Sequence, residues 1–202
     1  MKLVLASSSP YRRELLEKLG LSFETHAPDI DEEGLQRRLE SENKTPKEIA
    51  EALSFEKANK VALARMQDDE LIIAGDQLVS FKNRILGKAG SLAGAALQLQ
   101  ELRGKTHELI TSMTLLSKDR LESHTNVTRL KMKSLSDPEI QKYVERDQVT
   151  YCAGSYKIEK SGIALFEAIE CEDFSAIQGI PLIWLSNRLK EYGYEFFNFP
   201  AR

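Results

Sequence analysis

The sequence predicts an α/β protein built on a mixed central sheet with helices packed against it. Two observations carry that reading. Short apolar runs alternate with helix-like stretches that open at Ser or Thr followed by Pro and close at Gly. Two long strand-like stretches also follow one another in mid-chain around Lys118-Asp119. A pair joined by so tight a turn is antiparallel, so the sheet is mixed rather than purely parallel.

Lys2 to Ala6 is an apolar run and reads as a buried first strand. Ser7-Ser8-Ser9-Pro10 follows, then a short helix through Lys18 with Gly20 as its stop. Leu21 to Thr25 reads as a second strand. Thr45-Pro46-Lys47-Glu48 is a capping box that opens a helix to about Met66. Asp68-Asp69 makes the next turn, and Leu71 to Gly75 is a strand ending at Asp76-Gln77. Leu92 to Leu102 is a helix; His107 to Ser117 and Arg120 to Met132 are the paired strands. Asp137-Pro138 starts a helix to about Arg146, and Leu182 to Tyr192 is the last, begun at Pro181 and stopped at Gly193.

With 202 residues, no internal repeat and no low-complexity linker, the chain is expected to fold as one domain, 1–202. A net charge of −3 gives little support to binding along a nucleic-acid backbone. Cys152 and Cys171 match no metal spacing and imply no disulfide framework. The apolar start is too short for a signal peptide or a membrane span, so the expected setting is the cytoplasm, with no membrane partner. Gly104-Lys105-Thr106 lacks the earlier glycine of a P-loop, since Leu99 stands there, and Ser7-Ser8-Ser9 is not a hydrolase elbow. His26, His107 and His124 form no metal pair.

Five places look chemical. In the Ser7 to Arg13 turn a strand runs straight into a helix, aiming backbone N–H groups and the helix dipole at one spot. Arg12 and Arg13 sit at the wrong helix end for cations, a mismatch that a bound polyanion reverses; a plain serine cap with two solvated arginines accounts for the same residues. Asp76 at a strand's end suits a divalent cation or proton abstraction from water, though an Asx turn competes. Lys57 shares a four-residue spacing with Ile49, Leu53 and Val61, a charge on an apolar stripe; snorkelling is the commoner explanation. The acidic run Asp29 to Glu33 and the loop residue Lys88 read as a metal carboxylate and a phosphate cation, or as solvated surface. Tyr151 to Glu159 is a tight turn or a close approach of backbone to a ligand. Carboxylates, cations and a helix N-terminus without a protein nucleophile fit metal-assisted attack of water on a polyphosphate.

The same segments resemble the Maf family of nucleotide pyrophosphatases along nearly the whole chain. Leu5-Ala6-Ser7-Ser8-Ser9-Pro10-Tyr11-Arg12-Arg13-Glu14-Leu15-Leu16 is similar to the family's opening signature. Asp31-Glu32, Glu56-Lys57-Ala58, Leu86-Gly87-Lys88, Leu102-Arg103-Gly104-Lys105-Thr106-His107 and Gly179-Ile180-Pro181-Leu182 follow its later motifs in order. Two departures stand out: Gly75-Asp76-Gln77 replaces Ala-Asp-Thr, and Ala153-Gly154-Ser155-Tyr156-Lys157-Ile158-Glu159 replaces Ala-Gly-Ala-Tyr-Gly-Ile-Gln. The altered pair resembles the branch that hydrolyses 7-methylguanosine triphosphate, where the common form goes with thymidine and uridine triphosphates.

The resemblance implies Asp76 as catalytic base and Arg12, Gln77 and Glu159 as specificity residues. It puts Ser7, Ser9, Arg13, Lys57 and Lys88 on the phosphates, and Glu32 with Asp76 around magnesium or manganese. It further implies two lobes around a cleft, as in inosine-triphosphate pyrophosphatases, a homodimer, and a small nucleotide rather than nucleic acid as partner. Competing readings are a thymidine, uridine or other non-standard nucleotide pyrophosphatase, and a nucleotide-binding regulator of septum formation.

Overall fold

The computed structural model describes residues 1–197. The chain is mixed α/β and divides into two compact units. The first holds 1–76, 111–126 and 173 onward; the second holds 77–110 and 127–172.

In the first unit β1 (Lys2–Ala6) pairs in parallel with β2 (Phe23–Thr25) and with β3 (Glu70–Phe81). The period of two along β1 divides its side chains between the sheet's faces. Leu3 and Leu5 join Leu71, Ile73, Met113 and Leu115 on one face, where α1 (Pro10–Glu17) supplies Leu15 and Leu16 and α6 (Leu182–Glu191) supplies Leu185 and Leu189. Val4 and Ala6 join Ile72 and Ala74 on the other, against Ala58 and Val61 of α3 (Pro46–Arg65). Each large side chain so buried contributes about 1.5–3 kcal/mol, which fixes the strand register because a slip of one residue exchanges the faces.

The expected helix starts hold where their caps predict. Ser9 caps α1, and Thr45 with Glu48 forms the capping box of α3. Gly20 and Gly193 take positive φ after the first and last helices. The turn at Lys118-Asp119 joins β5 (Thr106–Leu116) to β6 (Leu121–Met132), closed by Ser117 N–H donating to the Arg120 carbonyl.

In the second unit β3 continues and pairs antiparallel with β4 (Arg84–Leu86), and β6 pairs antiparallel with β7 (Phe166–Glu170). Helices α4 (Leu92–Leu102) and α5 (Asp137–Asp147) lie side by side, with Gln100 and Arg103 donating to Asp137. The strand order is β2-β1-β3-β5-β6-β7, with β4 also on β3.

Two expectations need correction. Strand β3 does not stop at Asp76-Gln77; it continues to Phe81, with Leu78, Val79, Ser80 and Phe81 all buried. Two polar residues broke the apolar run without breaking the backbone ladder. The acidic run is not a loop throughout: Asp31 caps α2 (Glu32–Ser41), accepting from Gly34 N–H, and Glu32 and Glu33 form its first turn. Carboxylates suit that position because the helix dipole is positive there.

Candidate active site

Four side chains of the first unit converge. Lys57 stands on α3 one turn after Leu53 and one before Val61, and is only 5% exposed. It does not snorkel. Its Nζ donates to Asp76 Oδ1 at 2.7 Å and to Glu32 Oε2 at 2.8 Å. A buried ammonium is tolerable only with such partners. Asp76 is 5% exposed and lies in mid-strand, not at the strand's end. Its second oxygen, Oδ2, is buried and accepts no hydrogen bond. Glu32 reaches Lys57 from the first residue of α2 while its own side chain stays half exposed.

Arg12 is the fourth member. It is half-buried, and its Nε donates to the Gly179 carbonyl at 3.2 Å. Desolvation lowers its pKa, while the negative charges of Asp76 and Glu32 pull the other way. The preceding turn is tightly folded. Ser9 N–H donates to Ser7 Oγ at 3.1 Å, and Ser9 Oγ accepts from Arg12 N–H at 3.4 Å. Ser7 is buried and Ser9 half-buried. Arg13 donates to Thr25 Oγ1 on β2 at 2.8 Å. Gly75 leaves room before Asp76 for β5: a Cβ there would meet Met113 Sδ at 2.5 Å and the Ser112 carbonyl at 3.2 Å.

The remaining expected residues lie in the second unit. Gln77 follows Asp76 on β3, half-buried, and successive strand residues face opposite ways. Lys88 is exposed, and its backbone bridges that of Ala153. Glu159 is exposed, and its charge adds to the burial that raises the thiol pKa of Cys152. The turn before it is close-packed. Gly154 has φ +67°, and a Cβ there would lie 2.8 Å from the Tyr156 ring. Ser155 Oγ donates to Gln98 at 2.6 Å, and the Tyr156 hydroxyl meets His107 Nε2 at 3.1 Å. Burial holds the His107 ring well below its usual pKa, at about 4.

Among the described residues no group of three or more His, Cys, Asp or Glu side chains is placed to hold a metal ion. The donors that do converge are two carboxylates, one with a free buried oxygen. That set suits magnesium or manganese, which take one or two carboxylates and complete their shell with water and substrate phosphate. It does not suit a protein-only cage.

Residues 2–192 match the sequence profile of a family described as Maf-like protein. The chain belongs to the Maf-like protein family. Several curated relatives carry the name 7-methyl-GTP pyrophosphatase. That of Bdellovibrio bacteriovorus is 44% identical over 189 residues, covering 94% of this chain and 96% of that protein. That of Aromatoleum aromaticum is 40% identical over 194 residues, 95% and 96% of the two chains. That of Cupriavidus pinatubonensis is 40% identical over 198 residues, 97% and 96%. Among solved structures, a nucleoside-triphosphatase described as a dITP/XTP pyrophosphatase from Mycobacterium abscessus overlaps at a TM-score of 0.42 and 13% identity, over 67% of this chain and 76% of that one. A likeness that distant says nothing of substrate. No helix of this Maf chain is long and apolar enough to cross a membrane among the described residues.

Reading the sequence alone missed the partners of Arg12 and the buried Asp173 beyond it. An Asp-x-Ser spacing ahead of a helix, at Asp173 and Ser175, is the signal that was there to find.

Proposed function

We infer that this Maf-like protein is a nucleoside triphosphate pyrophosphatase acting on 7-methylguanosine triphosphate, releasing the monophosphate and pyrophosphate. The observation that carries the chemistry is the Lys57 bridge between Asp76 and Glu32, which leaves one Asp76 oxygen buried and unpartnered. That oxygen is available to take a proton from water. The water oxygen then bonds the α-phosphorus, the bond from that phosphorus to the bridging oxygen breaks, and pyrophosphate leaves. Lys57 and Arg12 offset the negative charge that gathers on the phosphates, with Ser7, Ser9, Arg13 and Lys88 as further phosphate contacts. A divalent cation held by Glu32 and Asp76 would supply Lewis acidity at the phosphate oxygens when bound.

The methylated base is supported by the names of the relatives and by Gln77 and Glu159 standing where the common pattern has threonine and glutamine. N7 methylation places a positive charge on guanine, and a carboxylate attracts that ring or accepts from its N1–H and N2–H edge. A homodimer is the expected assembly of the family.

Pyrophosphate release from 7-methylguanosine, guanosine, uridine, thymidine and inosine triphosphates tests this reading, with and without magnesium or manganese. Selective turnover of the methylated substrate, lost in Asp76→Asn, is the expected result. A preference for uridine or thymidine triphosphate would replace the substrate. Full activity in Asp76→Asn would remove the base. In Glu159→Gln the preference for methylated guanosine over uridine triphosphate should fall.

A further inference from the structure

We propose that Asp173 and Ser175 are a positioning pair for Arg12, acting through the Gly179 carbonyl; the inference rests on the role given to Arg12 above. Asp173 is buried, and both of its carboxylate oxygens are engaged. One carboxylate oxygen accepts from the Ser175 N–H at 2.9 Å and from the Ser175 hydroxyl, and the other accepts from Ile183 N–H at 2.7 Å. The Ser175 hydroxyl in turn accepts from Leu182 N–H at 2.8 Å. The first two amides of α6 are therefore satisfied by residues seven and ten positions earlier, because Pro181 at the N-cap offers no side-chain acceptor.

The consequence is a closed loop. The segment between the pair and α6 cannot move without breaking these bonds, and it holds Gly179 at φ +113°, a conformation glycine tolerates. Gly179 N–H donates to the Ala176 carbonyl, which also accepts from Thr111 Oγ1 on β5 at 2.9 Å. The Gly179 carbonyl is thus fixed to the sheet on one side and to α6 on the other. Arg12 Nε donates to it, and the Arg12 stem lies so close that a Cβ on Gly179 would stand 3.3 Å from Arg12 Cγ and Nε. Because a guanidinium is a rigid planar fork, a bond at Nε together with the close packing of the stem restricts the orientations open to the whole group. A simple helix cap needs none of this: a serine or aspartate at the N-cap itself would satisfy the same amides.

The test separates positioning from capping by a double-mutant cycle. Asp173→Asn keeps the volume but turns an amide donor toward N–H groups, and Ser175→Ala is the milder change if the first folds poorly. Each is made alone and with Arg12→Ala. Their kcat/KM for 7-methylguanosine triphosphate and their Kd for a non-hydrolysable α,β-methylene analogue are measured beside Tm. A misplaced guanidinium should cost Asp173→Asn about tenfold or more in kcat/KM, Ser175→Ala less. In the Arg12→Ala background both losses should shrink to within about twofold, while the drop in Tm persists unchanged. Ser175→Thr, which restores the hydroxyl, should recover activity.

Equal fold losses in both backgrounds, or a lower Tm without loss of activity, would reduce the pair to a helix cap. An Arg12→Ala variant indistinguishable from wild type would overturn both the role of Arg12 and the positioning pair. A wild type that binds the analogue without turnover would remove the proposed function alone, and the cycle would then be read in Kd. No binding and no turnover would overturn both.

Discussion

Replacing Lys57 by methionine should destabilise the protein far more than any single surface change. Methionine matches the length of the side chain and suits the stripe of Ile49, Leu53 and Val61, so the substitution removes the charge with little change of packing. Lys57 and Asp76 side chains are each 7% exposed, and their charged atoms are 2.7 Å apart. At an effective dielectric of about 20 that separation is worth about 6 kcal/mol of attraction. Desolvation costs several kcal/mol per ion, so the intact pair comes close to break-even. Removing one partner forfeits the attraction and leaves the buried Asp76 carboxylate with no hydrogen-bonded cation and only the field of Arg12, at a cost of about 3–5 kcal/mol.

Glu32 does not rescue that loss, because it is itself an anion. At 52% side-chain exposure its own bond to Lys57 is screened, so Glu32→Gln should cost under about 1 kcal/mol. Urea unfolding at pH 7, with m compared as well as midpoint, measures both. The double variant Lys57→Met/Asp76→Asn should cost about 1–3 kcal/mol less than the sum of its parts. A Lys57→Met loss below about 1 kcal/mol, or strict additivity in the double variant, would refute the reasoning, since the pair would then be solvated in solution.

Two further outcomes follow from the same geometry. His107 is 2% exposed and its pKa falls to about 4 from the ordinary 6.5, so the unfolded chain takes up the proton first. The His107 contribution to stability should therefore fall by about 3 kcal/mol as pH drops from 6.5 to 4 and level off below; carboxylates held below their ordinary range, Glu48 among them, add their own loss as pH falls, so the check is a steeper slope of unfolding midpoints across that window in wild type than in His107→Gln. At Gly34 a Cβ would stand 2.1 Å from Asp31 Oδ2. Gly34→Ala gains up to about 1 kcal/mol of helix propensity and displaces a cap of about the same value, so Tm should barely move. Glu32, next to that cap, is displaced with it, and turnover should drop; Gly87→Ala, with nothing within 4 Å of its Cβ, is the control for Tm.

What was legible in the sequence is what local chemistry decides. Proline, serine, threonine and glycine mark helix ends whatever the tertiary context, and the starts of α1, α3, α4 and α6 follow from them. The four-residue spacing singled out Lys57 as a charge on a buried stripe. Whether it snorkels or pairs depends on Glu32 and Asp76, 25 and 19 residues away in sequence, and no local pattern records that. Strands β4 and β7, of three and five residues, are too short for alternation to rise above chance, and β7 is held by pairing to β6 rather than by its own burial. The far half of β3 was hidden by Asp76 and Gln77, polar residues where a buried strand otherwise reads as a continuous apolar run.

The buried aspartates separate by how completely they are satisfied, and the separation bears on what each does. Asp173 accepts three hydrogen bonds across its two oxygens. Asp147 likewise accepts on both, from Arg146 Nε and from the Ser161 N–H and hydroxyl. Asp76 alone, among the buried carboxylates of the described residues, keeps an oxygen with no donor. An unmet buried acceptor costs about 1–3 kcal/mol, a cost that the other two avoid through the donors just named. His107 Nδ1 and Arg188 Nε are likewise buried without a partner, so what sets Asp76 apart is the junction its other oxygen makes with Lys57 and, through it, Glu32. The proposed proton abstraction rests on that Asp76 oxygen, whereas both oxygens of Asp147 and of Asp173 are engaged by donors that hold neighbouring backbone.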